Sequence, residues 1–157
     1  MKIIGISEND LINYKEIVMY IGFPYCSFKC NKECGKNVCQ NYQLQGENVI
    51  EISADELVKR YINNDLQKAI VFSGLEPFDS WEEMKELIQK FRNVTDDDIV
   101  IYSGYTYTEL ADKIYYLKNY KNIIIKFGRF LPNHQKHYDE VLGVELASDN
   151  QYAEKIS

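Results

Sequence analysis

The chain has four cysteines, and all of them fall in one short stretch, at Cys26, Cys30, Cys34 and Cys39. A disulfide framework usually spreads its cysteines along a secreted chain to staple distant segments. Four thiols packed this closely in a reduced protein point instead to a metal-binding loop. Two chemistries suit such a loop. Three thiolates can hold an iron–sulfur cluster, with one thiol left over. Alternatively, all four can close a tetrahedral zinc site, since structural zinc commonly uses cysteines two to four residues apart. The intervals here are three, three and four residues. Zinc sites usually draw two cysteine pairs from separated knuckles, whereas these four follow a single apolar run in one continuous loop. That favours the cluster.

Further segments carry residues with chemical potential. Ser73-Gly74-Leu75-Glu76-Pro77 follows an apolar run. Either Gly74 lets the backbone approach a ligand, or Gly74 and Pro77 punctuate a turn between strand and helix. Ser103 and Tyr105 stand after another such run, where they can touch a ligand or cap the loop. Arg129 and the Phe130-Leu131-Pro132 turn can face a partner or close the core. His134 and His137 lie outside any helical pattern, read as surface loop residues and are assigned no metal.

The elements that must position these residues alternate between strand and helix patterns. The runs Ile17–Gly22, Ala69–Phe72, Ile99–Tyr102 and Asn122–Phe127 read as strands. Ser53 with Glu56 forms a capping box for a helix through Leu57, Val58, Tyr61 and Ile62. Asp79 or Ser80 can cap a second helix, whose stripe is Trp81, Met84, Leu87, Ile88 and Phe91. Thr108 starts a third, through Leu110, Ile114 and Leu117. Tyr115 and Tyr116 read as core and rim packing. Continuous apolar strands alternating with helices indicate an α/β chain with a parallel sheet. A complete (β/α)₈ barrel takes about 250 residues, so 157 residues predict a single domain over residues 1–157. That domain is an open parallel sheet or partial (β/α) barrel of about five or six strands. Ligands of parallel sheets sit at the carboxyl ends of the strands. The cysteine loop, the Ser73–Pro77 segment, Ser103-Gly104-Tyr105 and Gly128-Arg129 all follow strands at that end. A cofactor site is expected where they meet.

Bulk properties narrow the function class. A net charge of −6 argues against a nucleic-acid binder, which would show a basic face. No run of 18 apolar residues is present, which excludes a transmembrane helix. The first residues carry Glu8 and Asp10 and no long apolar core of a signal peptide, so a cytoplasmic protein with no membrane association is expected.

The pattern as a whole resembles the radical S-adenosylmethionine (SAM) superfamily, in particular the activating protein of the anaerobic (class III) ribonucleotide reductase. The resemblance runs from about Tyr20 to the end of the chain. Its carriers are the C-x₃-C pair Cys26 and Cys30, and a later Cys39-Gln40-Asn41 that matches the family's residues after its last cysteine. Ser73-Gly74-Leu75-Glu76-Pro77 is similar to the family's Gly-Gly-Glu-Pro segment, and Tyr102–Tyr107 to its Tyr-Thr-Gly-Tyr-Thr segment. Gly128-Arg129-Phe130 and Ser148–Gln151 resemble its Asp-Gly-x-Phe turn and its Ser-Asn-Gln ending.

The chain departs from the family spacing C-x₃-C-x₂-C. Either Cys39 is the third ligand, after a six-residue insertion, or Cys34 is, after one. The resemblance implies a domain with its cluster loop at residues 24–41. A [4Fe–4S] cluster would be held there by Cys26, Cys30 and Cys39, with Cys34 as the alternative third ligand. SAM would be contacted by Ser73, Gly74, Glu76, Pro77, Ser103 and Tyr105. In the family the amino and carboxylate groups of SAM chelate the iron that has no protein ligand. An electron then cleaves the S–C5′ bond, and the deoxyadenosyl radical takes a hydrogen from a glycine of the reductase. The implied activity is that of a radical SAM oxidoreductase activating a glycyl-radical enzyme under anaerobic conditions. Its partners would be the reductase large subunit and a flavodoxin- or ferredoxin-type electron donor. Two alternatives stay open: a radical SAM enzyme acting on a small molecule, like the 7-carboxy-7-deazaguanine synthases, and a non-enzymatic Cys₄ zinc-binding interaction module.

Overall fold

The apolar runs pair as the centre of one six-stranded sheet in the computed structural model, which describes residues 1–157. In chain order the elements are β1 (Lys2–Ile3), β2 (Gly5–Asp10), β3 (Val18–Phe23), α1 (Lys29–Cys34), β4 (Ile50–Glu51), α2 (Ala54–Ile62), β5 (Ala69–Gly74), α3 (Trp81–Arg92), β6 (Asp98–Tyr102), α4 (Ala111–Leu117), β7 (Ile123–Phe127), β8 (His137–Asp139), β9 (Val144–Leu146) and β10 (Tyr152–Lys155). The main sheet runs in the order β10-β7-β6-β5-β3-β2. Its four middle strands, β3, β5, β6 and β7, are parallel and lie side by side in sequence order. The expected single α/β domain with an open sheet is what forms, and no barrel closes. One feature differs: β2 and β10 flank the parallel strands antiparallel, so the sheet is mixed.

Period-2 alternation divides the middle strands into two faces. One face (Met19, Ile21 and Phe23, with Ile70 and Phe72, Ile99 and Ile101, and Ile123, Ile125 and Phe127) packs against all three long helices in a cluster of 24 buried residues. The helices supply Leu57, Val58 and Tyr61, then Met84, Leu87, Ile88 and Phe91, then Ile114 and Leu117. Each such fully buried large side chain stabilises by about 1.5–3 kcal/mol, so this face fixes the sheet. Ser53 caps α2 by accepting from the Glu56 N–H. Tyr115 stands 81% exposed, off the helix stripe, whereas Tyr116 packs at the rim.

The other face changes character along the strands. Near their start, Val18, Ala69, Val71, Val100 and Ile124 are covered by Tyr14, Leu142 and Leu146. Farther along, the same alternation brings Tyr20, Ser73, Tyr102 and Lys126 to this face, where they line a cavity instead of a core. No helix is long and apolar enough to cross a membrane.

Candidate functional site

The carboxyl ends of the four parallel strands are zipped together by backbone and side chain. Leu75 N donates to Phe23 O and Glu76 N to Tyr25 O, so the segment leading to Cys26 runs beside Leu75–Glu76. Gly104 N donates to Glu76 Oε2 at 2.8 Å, which joins the second loop to the third. Gly128 N donates to Tyr105 O, which joins the third to the fourth. Together these loops bound a cavity of about 540 Å³.

The cysteine loop reaches that cavity through a local fold its sequence dictates. Phe28 takes a left-handed conformation, α1 occupies Lys29–Cys34, and Gly35, with φ 65°, ends it. Asn31 then folds the chain back, its Oδ1 accepting from Val38 N at 2.9 Å and Cys39 N at 3.0 Å. This return brings Cys39 beside Cys30 despite the long interval between them. Cys26, Cys30 and Cys39 all line the cavity, and Cys34 does not. Asn41 anchors the far side of the loop, its amide donating to Gly74 O at 2.7 Å. Asp79 anchors the near side, accepting from Ser27 N at 2.6 Å and from Tyr105 OH at 2.5 Å.

Burial pushes the Cys26 thiol up to about 12, partly opposed by the Phe28 N–H that points at its sulfur from 3.2 Å. Cys30 is raised by burial and then by neighbouring Cys39. These thiols therefore keep their protons until a metal replaces them, and metal loading releases protons. The donor set fits an iron–sulfur cluster better than a single ion. Each iron of a cluster takes its own thiolate, so the sulfurs need not meet at one point. Here no three His, Cys, Asp or Glu side chains gather closely enough to hold one metal ion.

The residues expected to contact SAM have distinct placements. Ser73, Glu76 and Ser103 line the main cavity. Tyr105 lines a small adjoining cleft with Cys26 and Cys30. Gly74, with φ 86°, turns its Cα toward β3, where a Cβ would meet Phe23 N at 2.7 Å. Its freedom lets the β3 and β5 backbones approach closely at the strand junction. Pro77 is buried and opens a short 3₁₀ turn.

Glu76 is 4% exposed and acts as a clasp, accepting from Ser103 Oγ at 2.9 Å and from Phe78 N at 3.2 Å in addition to Gly104 N. Burial raises its carboxyl to about 7. Ser148–Gln151 supports the fourth loop. Asn150 donates to Arg129 O, Gln151 to Gly128 O, and Leu131 N to Ser148 Oγ. Arg129 is buried and forked onto Glu109, at 2.9 and 2.6 Å. His134 pairs with Asp149 and His137 with Gln151 O, so the two histidines serve the C-terminal segment separately.

Sequence reasoning missed the polar row Tyr20, Tyr102 and Lys126 on the cavity floor, and the loop ties made by Asn31 and Asp79. One signal for the row was visible, a lysine inside the otherwise apolar run Ile123–Phe127. Compared with known families, residues 16–151 match the family described as 4Fe-4S single cluster domain. The chain matches no curated protein and no solved structure.

Proposed function

Because the chain belongs to the 4Fe-4S single cluster domain family, we propose that it is a radical SAM enzyme and, more narrowly, the activating enzyme of an anaerobic ribonucleotide reductase. The observation that carries this reading is the sharing of one cavity by Cys26, Cys30 and Cys39 with Ser73, Glu76 and Ser103, while Cys34 lies off it. Three protein ligands on four irons leave one iron without a protein ligand. A closed Cys₄ zinc module would use all four thiols together, whereas Cys34 stands apart from the cavity the other three line, which supports the cluster reading.

When bound, the cluster supplies an electron and a vacant iron, which reductive cleavage of the S–C5′ bond of SAM requires. The chain's own residues do the holding and shaping. Cys26, Cys30 and Cys39 give up their protons to become ligands. Glu76 fixes the third loop against the second through Ser103 and Gly104, which keeps the wall opposite the thiols in register. Asp79 and Tyr105 hold the backbone at Ser27 and so set the direction of Cys26. Arg129, clamped by Glu109, closes the cavity beside Tyr105. A flavodoxin- or ferredoxin-type protein would deliver the electron, and the hydrogen would come from a glycine of the reductase. The test is anaerobic mixing of the loaded protein with the reductase, SAM and a reductant. A glycyl EPR doublet on the reductase is the expected result. Its absence with a fully loaded cluster would end the activase assignment.

A further inference from the structure

The cysteine loop gathers one particular pair of thiols through its own backbone. Asn31 Oδ1 accepts from Cys39 N at 3.0 Å and from Cys30 Sγ at 3.8 Å, so a single oxygen draws both residues together. After burial, Cys39 is the neighbour whose charge raises the Cys30 thiol. Cys26 is placed differently. Burial raises its thiol most, then Glu76 and Asp79, and Cys30 least, while its sulfur is approached by the Phe28 N–H at 3.2 Å. Cys30 and Cys34 both lie on α1, one turn apart. A helix holds the Cβ atoms of such a pair about 5–6 Å apart, whereas a disulfide needs about 3.5–4.5 Å. Cys34 also stands off the cavity that the other three thiols line. The fold of the loop therefore favours one pairing over the rest.

We propose that Cys30 and Cys39 form a reversible disulfide when hydrogen peroxide reaches the cluster-free loop. One thiol, as its thiolate, attacks the O–O bond and becomes a sulfenic acid, and a water leaves. The other sulfur then displaces the sulfenic hydroxyl as a second water. The thiols together give up two electrons and two protons, the peroxide bond breaks, and one S–S bond forms. Asn31 has already folded the intervening residues back through Val38 N and Cys39 N, so ring closure asks little of the backbone. While the bond persists, neither sulfur can serve as a ligand in the cavity that both line. The bond also shields both sulfurs from the irreversible sulfinic and sulfonic acids, and a dithiol restores them by exchange. The pairing rests on the geometry of the loop and holds whatever the cavity binds.

Trypsin cuts after Lys29, Lys32 and Lys36, which puts the four cysteines on four separate peptides. The full chain is stripped of metal with a chelator, reduced, freed of reductant and treated with hydrogen peroxide. Remaining thiols are alkylated, and the linked peptides are quantified by mass spectrometry. The expected main product joins Cys30 to Cys39 and exceeds every other linkage by about 10-fold or more, as for reacting groups already oriented. Dithiothreitol should return both thiols. The same treatment in concentrated urea removes the geometry of the loop. There the shorter intervals Cys26–Cys30, Cys30–Cys34 and Cys34–Cys39 close at least as readily, so the excess should vanish. SAM takes no part in this measurement, so its outcome is separate from that of the glycyl-radical test. A different main linkage in the folded chain, a product ratio equal to that in urea, oxidation without linkage, or a bond that dithiothreitol does not reopen overturns the proposal.

Discussion

Replacing Glu76 by Gln tests whether one buried carboxylate clasps two site loops together. Its oxygens accept from Ser103 Oγ and Phe78 N on one side and from Gly104 N on the other. Gln keeps one carbonyl oxygen, which can serve Ser103 and Phe78. Its amide nitrogen then presents a donor to the Gly104 N–H, a mismatch that costs about 1–3 kcal/mol. Against this stands relief from burying a charge. Burial lifts the carboxyl from its ordinary 4.5 to about 7, which is worth about 3 kcal/mol. Between those two values the folded protein holds a proton on Glu76 that the unfolded chain has lost. Stability contributed by Glu76 is therefore complete below 4.5, falls as pH rises through the window, and levels off above about 7. The variant has no such proton and no such decline. Urea denaturation should show the wild type ahead by about 1–3 kcal/mol near pH 5, with that lead shrinking by about 2–3 kcal/mol by about pH 8. A lead that stays constant or grows over this range would refute the reasoning.

Gly74→Ala should be among the most damaging single-methyl additions in the chain. The residue sits at φ 86° with Phe23 N 2.7 Å and Gly22 Cα 2.9 Å from the new Cβ, so about 2–5 kcal/mol of stability is expected to be lost. A urea midpoint shift equivalent to less than about 1 kcal/mol would show that β3 and β5 can part there at little cost. Asn41→Ala removes the bond to Gly74 O and should cost only about 1 kcal/mol of fold stability. It frees the loop that carries Cys39, so iron loss to a chelator should be markedly faster than in the wild type. Unchanged iron retention would remove Asn41 from the support of the centre.

Much of this arrangement was legible because apolar patterning and burial coincide. The runs at Val18–Phe23, Ala69–Gly74, Asp98–Tyr102 and Ile123–Phe127 are fully buried or nearly so, and the stripe from Met84 to Phe91 lies on them. The edge strands were not legible for the same reason. β2 and β10 carry Glu8, Asp10, Glu154 and Lys155 and bury little, so they offer no apolar run to read, and an edge strand needs none. α1 buries no residue at all. It is held by its ends and by Asn31, which no periodicity reveals. Asp79 follows the pattern of a helix cap, yet tertiary partners win it: its carboxylate goes to Ser27 and Tyr105, and α3 begins after Ser80 without a side-chain cap. The rest of the cavity floor escaped because Tyr20, Tyr102 and Lys126 join Ser73 only when four strands align in register.

A cluster on three cysteines with one iron left open can be distinguished from its rivals by comparing Cys34→Ala with Cys39→Ala after anaerobic reconstitution. Iron, acid-labile sulfide and SAM cleavage would be measured on each. Cys34→Ala should hold about four irons and about four sulfides per chain and form methionine and 5′-deoxyadenosine as the wild type does, whereas Cys39→Ala should lose both cluster and cleavage. Loss in Cys34→Ala alone, or a colourless wild type carrying a single zinc, would contradict it.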